Sequence, residues 1–414
     1  MLPSYTNYDL KSFSERKRKP EAPPQNRIPV HKRPRTKKKF KFLAIGEGLD
    51  LTFLGLLMLL LVIGLIMMFS ASYPYAYHRY GDSYYFIKKQ VLFALLGLAA
   101  MFAVSFVDYH YYHKAAPFAM AAAWLLMFIV LLIPTEDNAP KRWLNLGIFS
   151  IQASEVCKLA LILFFANWGS IYYKKMHTLK YGVMPALVVL GVTGLLLYLE
   201  PHYSGIVICL LIVAFMLFLS GLPMKYFIIA GGAVALLVLL LATTGKLTYA
   251  MSRMDGWGQA LEYTTNEMWQ TTWQTRNSLY AIGSGGMWGL GLGQSRQKYL
   301  YLPEPQNDFV FAIVCEELGF IGAAIVLTLF AILVYRGIRI CSRAKDMFGR
   351  LLGVGLMAQI GLQVVLNVLV ITDWLPNTGI SLPFFSYGGS SMIMLLAQMG
   401  IVLNISRSAN IAKE

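Results

Sequence analysis

Between Leu302 and Gly319 the chain reads LPEPQNDFVFAIVCEELG, which places Glu304, Asp308, Glu316 and Glu317 at the entrance to a run that stays apolar to Tyr335. A charged side chain inside a membrane-length run costs on the order of 3 kcal/mol, so such residues are as a rule paired or functional. Asp308 stands at the mouth of the run, where partial burial raises a carboxyl toward the range useful to a general base. Asn307-Asp308 is an equally good helix cap, because Asn and Asp are preferred at that position. The residues alone leave those two roles even. Glu316 and Glu317, two turns deeper, read first as partners of a buried cation.

Cations capable of answering these acids come in two blocks. The segment KRWLNLGIFSIQASEVCK offers Lys141, Arg142, Glu155 and Lys158. Glu155 and Lys158 are three apart and share one face of a helix, as a structural pair or, together with Arg142, as a site for an anion such as a pyrophosphate. Further on, Arg276, Arg296 and Lys298 flank a glycine-rich run, Gly283 to Gly293, and add positive charge before Asp308. The run lacks the GK[ST] ending of a phosphate-cradling P-loop, so its glycines are expected to let backbone approach other backbone or a ligand. The stretch DWLPNTGISLPFFSYGGSS, 373–391, with Ser386, Gly388 and Gly389 near its end, is turn-rich and aromatic. Irregular backbone at membrane depth is tolerated only against protein or a wet cavity, so this segment is expected beside the Asp308 entrance.

The elements that position these residues follow from composition. The chain has 414 residues, of which 57% are hydrophobic and 14% charged, where a soluble protein carries roughly 25% charged. Apolar stretches of membrane-crossing length recur at 51–70, 90–107, 116–134, 155–170, 182–199, 204–220, 226–243, 309–335, 350–372 and 385–406. The fold expected is an all-α polytopic membrane protein of about ten transmembrane helices. A loop at 244–308, with Trp257, Trp269, Trp273 and Trp288, is too aromatic for disorder and is expected to form a structured extracytoplasmic cap. Residues 1–47 form a basic tail that cannot fold alone and suits anionic lipid rather than nucleic acid. With both termini cytoplasmic, 25 of the 36 Lys and Arg fall inside. Cys157, Cys209, Cys315 and Cys341 form no CxxC pair and read as small packing residues.

Taken in order, these blocks, with FSAS and YYFIKKQ near the first outer loop, resemble the SEDS family of bacterial cell-wall polymerases (shape, elongation, division and sporulation), over everything after about residue 48. The wording LPNTGISLPFFSYGGSS leans toward its FtsW and SpoVE branch over the RodA branch. The resemblance implies a ten-span inverting glycosyltransferase that polymerises lipid II on the outer face of the plasma membrane. It implies Asp308 as the essential carboxylate, Glu155 and Lys158 as the family's polar pair, and a class B penicillin-binding protein and other divisome or elongasome membrane proteins as partners. Arg142, Arg276, Arg296, Lys298 and Glu304 join Glu155 and Lys158 as expected substrate contacts, with a divalent cation, Mg or Mn, expected at Asp308. Glu316, Glu317, Ser386, Gly388 and Gly389 are expected to support the site. Two departures stand out: Gln152-Ala153-Ser154-Glu155 lacks the usual proline, and Pro201-His202-Tyr203-Ser204-Gly205 lacks the usual aspartate. A lipid II flippase, or a non-catalytic scaffold for the transpeptidase, are the alternative readings.

Overall fold

The computed structural model describes residues 48–133, 142–145, 150–243, 256–262 and 266–408. The basic tail, Lys141 and part of the large loop lie outside the described residues. Among the described residues eight helices are long and apolar enough to cross a membrane, and Tyr203–Leu219 is a shorter apolar one. The chain is an all-α, multi-pass membrane protein whose only described strands form one small hairpin.

The first helix, α1 (Leu51–Tyr80), starts where Asp50 accepts the Phe53 N–H at 2.8 Å and ends at Gly81, φ 70°. It runs well past residue 70, where its apolar stretch was expected to stop. The added turns hold Tyr75 and Tyr80, which stack on Phe86 and Tyr85 at 6.1 and 3.9 Å, so aromatic packing carries the helix beyond its apolar sequence. Next come α2 (Tyr85–Phe106) and α3 (His110–Leu132). A hairpin of β1 (Trp143–Asn145) and β2 (Ser150–Gln152) then leads directly into α4 (Ala153–Tyr172). With no proline before Glu155, the extended backbone of Gln152 makes this junction, held by Ser390 Oγ accepting the Gln152 N–H at 3.2 Å. Helices α5 (Met184–Leu199), α6 (Tyr203–Leu219) and α7 (Met224–Thr243) follow.

The large loop contains two helices among its described residues, α8 (Asn266–Thr271) and α9 (Trp273–Gly285), and so is structured there as expected. Helix α10 (Val310–Ser342) is two helices joined across a break at Gly319, where φ is 68° and ψ −172°. The glycine-rich run docks into this break. Leu290 and Gly291 N–H donate to the Glu316 and Glu317 carbonyls at 3.0 Å, and Phe320 N–H donates to the Gly286 carbonyl at 2.9 Å. A Cβ on Gly289 would meet the Glu317 carbonyl, and one on Gly319 the Gly289 nitrogen, so these glycines serve backbone-to-backbone approach. Helices α11 (Met347–Ile371) and α12 (Gly389–Ser408) complete the chain. Helix α12 packs along α2, α3 on α4, and α10 between α1, α9 and α11. At the end away from the hairpin, Asp50 pairs with Arg336 at 2.7 Å.

Candidate active site

Asp308 precedes α10 without capping it: the cap position is Phe309, and no side-chain bond closes that turn. The helix-cap reading of Asp308 therefore falls, because the helix begins one residue too late for it. The Asp308 carbonyl is fixed instead by Asn367 of α11, whose Nδ2 donates to it and to the Ile380 carbonyl, both at 2.7 Å. One amide thereby ties the mouth of α10 to the 373–388 segment. Within that segment Gly379, φ +69°, lies against the carboxylate; a Cβ there would stand 3.3 Å from Asp308 Oδ2.

The half-buried Asp308 side chain opens onto a cavity of about 1040 Å³. Arg142, Glu155, Lys158, Ser386, Gly388 and Gly389 line the same cavity. Glu155 and Lys158 project from the first turns of α4 as an ion pair at 2.6 Å, both nearly fully buried. The second oxygen of Glu155 and the Ser154 hydroxyl have no partner among the described residues, although both are buried. Buried polar atoms are ordinarily satisfied, so a ligand or water is needed beside them. Arg142 reaches across the α5–α6 turn, its Nε donating to the Glu200 carbonyl at 3.3 Å and its terminal nitrogen to the Pro201 carbonyl.

The 373–391 segment is irregular from 373 to 388 and is buried mainly over 380–386, and its bonds explain how. Ser386 Oγ accepts the Leu382 N–H at 2.8 Å and Tyr387 N–H donates to the Gln306 carbonyl at 2.8 Å. Gln90 of α2, 0% exposed, donates Nε2 to the Ser386 carbonyl and accepts the Gly388 N–H, each at 3.2 Å. A Cβ on Gly389 would press on the Phe93 ring. This backbone is thus satisfied against protein beside a cavity.

Other expected site residues are placed elsewhere. Lys298, 0% exposed, pairs with Glu317 at 2.7 Å and does not line the cavity. Arg276 is buried in the loop, donating to the Ala260 carbonyl and to Thr272 Oγ1, each at 2.7 Å, over the Trp269 ring. Arg296 is exposed; its N–H, not its side chain, meets Glu316 at 2.9 Å. Glu304 is exposed and accepts from Asn307 Nδ2 at 2.8 Å. Glu316 and Glu317 are sealed within the docked loop. Ser295 Oγ donates to Glu316, while Ser70 Oγ donates to Glu317 at 2.7 Å, as does Gly293 N–H at 3.0 Å.

Sequence reasoning missed several cavity residues. Asp373 lines it, its pKa raised by burial against the opposing N–H groups of Gly258 and Ala260. His202 and Lys89 line it too. Glu200 and His202 had a signal, two titratable groups closing an apolar run. Asn367 and Gln90, which brace the cavity from behind, had none: α11 carries Gln359 and Gln363 as well, and Gln90 follows Lys88 and Lys89.

Comparison with known proteins agrees with this fold. Residues 50–411 match the model of the FtsW, RodA and SpoVE family, described as cell cycle proteins. The chain is similar to stage V sporulation protein E of Bacillus subtilis, 39% identical over 86% of this chain and 97% of that one. It is similar to the probable peptidoglycan glycosyltransferase FtsW of Geobacter sp. strain M18, at 36% over 87% and 97%. Among solved structures, a chain from a peptidoglycan synthase complex that coordinates polymerization and crosslinking superposes with a TM-score of 0.71 at 26% identity, covering 88% of this chain and 99% of that one. The rod shape determining protein RodA of Thermus thermophilus gives 0.64 at 25% identity with the same coverage.

Proposed function

The chain belongs to the FtsW, RodA and SpoVE family of cell cycle proteins, and from that premise we propose that it polymerises lipid II with Asp308 as the base. It is a peptidoglycan glycosyltransferase linked to cell division or shape, as its family is. The observation that carries the residue-level reading is that Asp308 shares one cavity with Arg142 and the Glu155–Lys158 pair.

In this reading Asp308 takes the proton from the acceptor sugar's 4-hydroxyl as that oxygen attacks the donor's anomeric carbon. The bond from that carbon to the lipid pyrophosphate breaks, and a single displacement inverts the configuration. Negative charge grows on the departing pyrophosphate, where Arg142 and Lys158 stand to stabilise it. The unpartnered Glu155 oxygen and Ser154 hydroxyl accept and donate to the sugar hydroxyls. Ser386, Gly388 and Gly389 hold the wall opposite α4 in place. Among the described residues no three His, Cys, Asp or Glu side chains converge as a metal site. A magnesium or manganese ion would be held on the protein's side by Asp308, with substrate phosphate oxygens completing its shell, the usual manner of Mg²⁺. The steps above are assigned to the chain's own groups.

Ten spans, with both termini cytoplasmic, fit the Lys and Arg distribution and put the cavity at the outer face of a bacterial plasma membrane. A class B penicillin-binding protein is the proposed partner, and other divisome or elongasome membrane proteins its neighbours. The test is lipid II polymerisation by the purified protein with that partner. Asp308→Asn is expected to lose glycan ladders by about 10²- to 10⁴-fold while still folding. Equal ladders from both proteins would move the base elsewhere, and lipid II crossing liposomes at a rate indifferent to Asp308→Asn would favour a flippase.

A further inference from the structure

The turn between α5 and α6 carries a buried acid that the reaction above does not use. Glu200, at the end of α5, is 0% exposed, and neither of its carboxylate oxygens has a hydrogen-bond partner among the described residues. Arg142 is held above the same turn by the carbonyls of Glu200 and Pro201. Next along the chain His202 lines the cavity with Arg142, its ring folded over Gly205, where a Cβ would lie 2.8 Å from Nδ1. The acid and the cavity's mouth are therefore one assembly built on two residues of turn.

Burial pushes the Glu200 carboxyl up to about 7, with the Arg142 guanidinium pulling the other way. Among the described residues the Cys157 thiol of α4 also faces it, and packs with Cys209 of α6 and Thr193 of α5. The Glu155–Lys158 pair of α4 lines the same cavity. A dianion settling at Arg142 adds negative charge next to a carboxyl that has no donor to stabilise its ionised form. The anion then favours the protonated acid, and by linkage the protonated acid favours the anion to the same degree.

We propose that Arg142, His202 and Glu200 form a proton-linked diphosphate subsite, in which an anion bound by Arg142 and His202 draws a proton from water onto Glu200, and loss of that proton releases the anion. The inference rests on the assignment of Arg142 to the leaving pyrophosphate. It gives product release a chemical trigger: the diphosphate is held while Glu200 is neutral and expelled when Glu200 ionises. Above about pH 7 the acid is ionised and counters Arg142, so diphosphate binding weakens as pH rises.

The experiment is calorimetric titration of the full-length protein with farnesyl diphosphate in two buffers of different ionisation enthalpy, which counts protons taken up per ligand. The wild type is expected to take up about half a proton near neutral pH beyond what Glu200→Gln takes up; the ligand's own titration is common to both. Per pH unit above neutrality, affinity should fall about three- to tenfold further in the wild type than in Glu200→Gln. Arg142→Gln should weaken binding tenfold or more, whereas Arg142→Lys should retain the proton uptake. Uptake unchanged in Glu200→Gln, uptake abolished instead by His202→Gln, or no binding of farnesyl diphosphate would each overturn the subsite. If Glu200→Gln does not fold, a wild-type affinity that is level across neutral pH overturns it equally. Glycan ladders made by the same preparation keep the two readings apart. Ladders without linked uptake sink the subsite alone, and linked uptake without ladders sinks the polymerase assignment alone.

Discussion

Asp308 and Glu317 stand on one stretch of chain, yet their surroundings are opposites. Glu317 is 1% exposed and fully answered: Lys298 at 2.7 Å, Ser70 at 2.7 Å, and the N–H groups of Gly293 and Ser295 at 3.0 and 3.3 Å. Asp308 is half-buried, caps nothing, and faces a cavity of about 1040 Å³. Its backbone is pinned by Asn367, and its side chain lines the cavity. A carboxylate whose lone pairs are consumed by fixed donors is a fastener, because moving a proton to it would break bonds already made. A carboxylate at a cavity wall is where a substrate hydroxyl can reach it. Both are carboxylates, and place separates them: one is sealed in the docked loop and the other lines the cavity.

The comparison breaks most sharply at Lys298. Lys298→Met leaves the Glu317 charge buried without its counter-ion and should destabilise the protein by about 3–5 kcal/mol. Thermal unfolding in detergent reads this, and an unchanged melting temperature would mean that the docked loop does not depend on the pair. Gly289→Ala attacks the same region through the backbone: φ is +80° and the new Cβ would press on the Glu317 carbonyl. A loss of about 2 kcal/mol is expected, seen as earlier proteolysis of the large loop. On the cavity side the matching change is Gly379→Ala, at φ +69° and 3.3 Å from Asp308 Oδ2. It should lower stability by only about 1 kcal/mol but slow polymerisation about tenfold, by displacing the base. If it cuts stability and leaves the rate, Gly379 belongs with the fasteners. Arg296→Ala sharpens the comparison from the other end. Only the backbone of Arg296 meets Glu316, so both melting temperature and glycan yield should stay within about twofold-equivalent scatter of the wild type.

The same contrast explains what could be read in the sequence. Eight long apolar helices among the described residues were legible because stretches of about 20 apolar residues match the thickness of a bilayer. Their ends were less so: α1 reaches Tyr80 on tyrosine stacking that no hydropathy window registers. That the glycine-rich run serves close backbone approach was legible in kind. Its partner was not, since the break at Gly319 looks in sequence like any glycine inside a helix. Asp308, Arg142, Glu155 and Lys158 were named from type and spacing, and they line one cavity. Lys298 and Arg276 had the same credentials and were turned inward, because buried partners ahead and behind claim their charges. Local sequence shows which groups carry charge. Which of them are spent on the fold depends on contacts such as Ser70 to Glu317, far apart along the chain.

In the proposed reaction this chain divides its carboxylates between chemistry and structure, with Asp308 on one side and Glu317 on the other. The most direct test measures Asp308→Asn and Glu317→Gln together, each for glycan ladders from lipid II per folded molecule and for thermal unfolding. The account predicts that Asp308→Asn unfolds with the wild type yet loses polymerisation by about 10²- to 10⁴-fold, while Glu317→Gln unfolds at lower temperature yet polymerises for as long as it stays folded. Polymerisation at the wild-type rate by Asp308→Asn, or its abolition in a Glu317→Gln protein of unchanged stability, would contradict it.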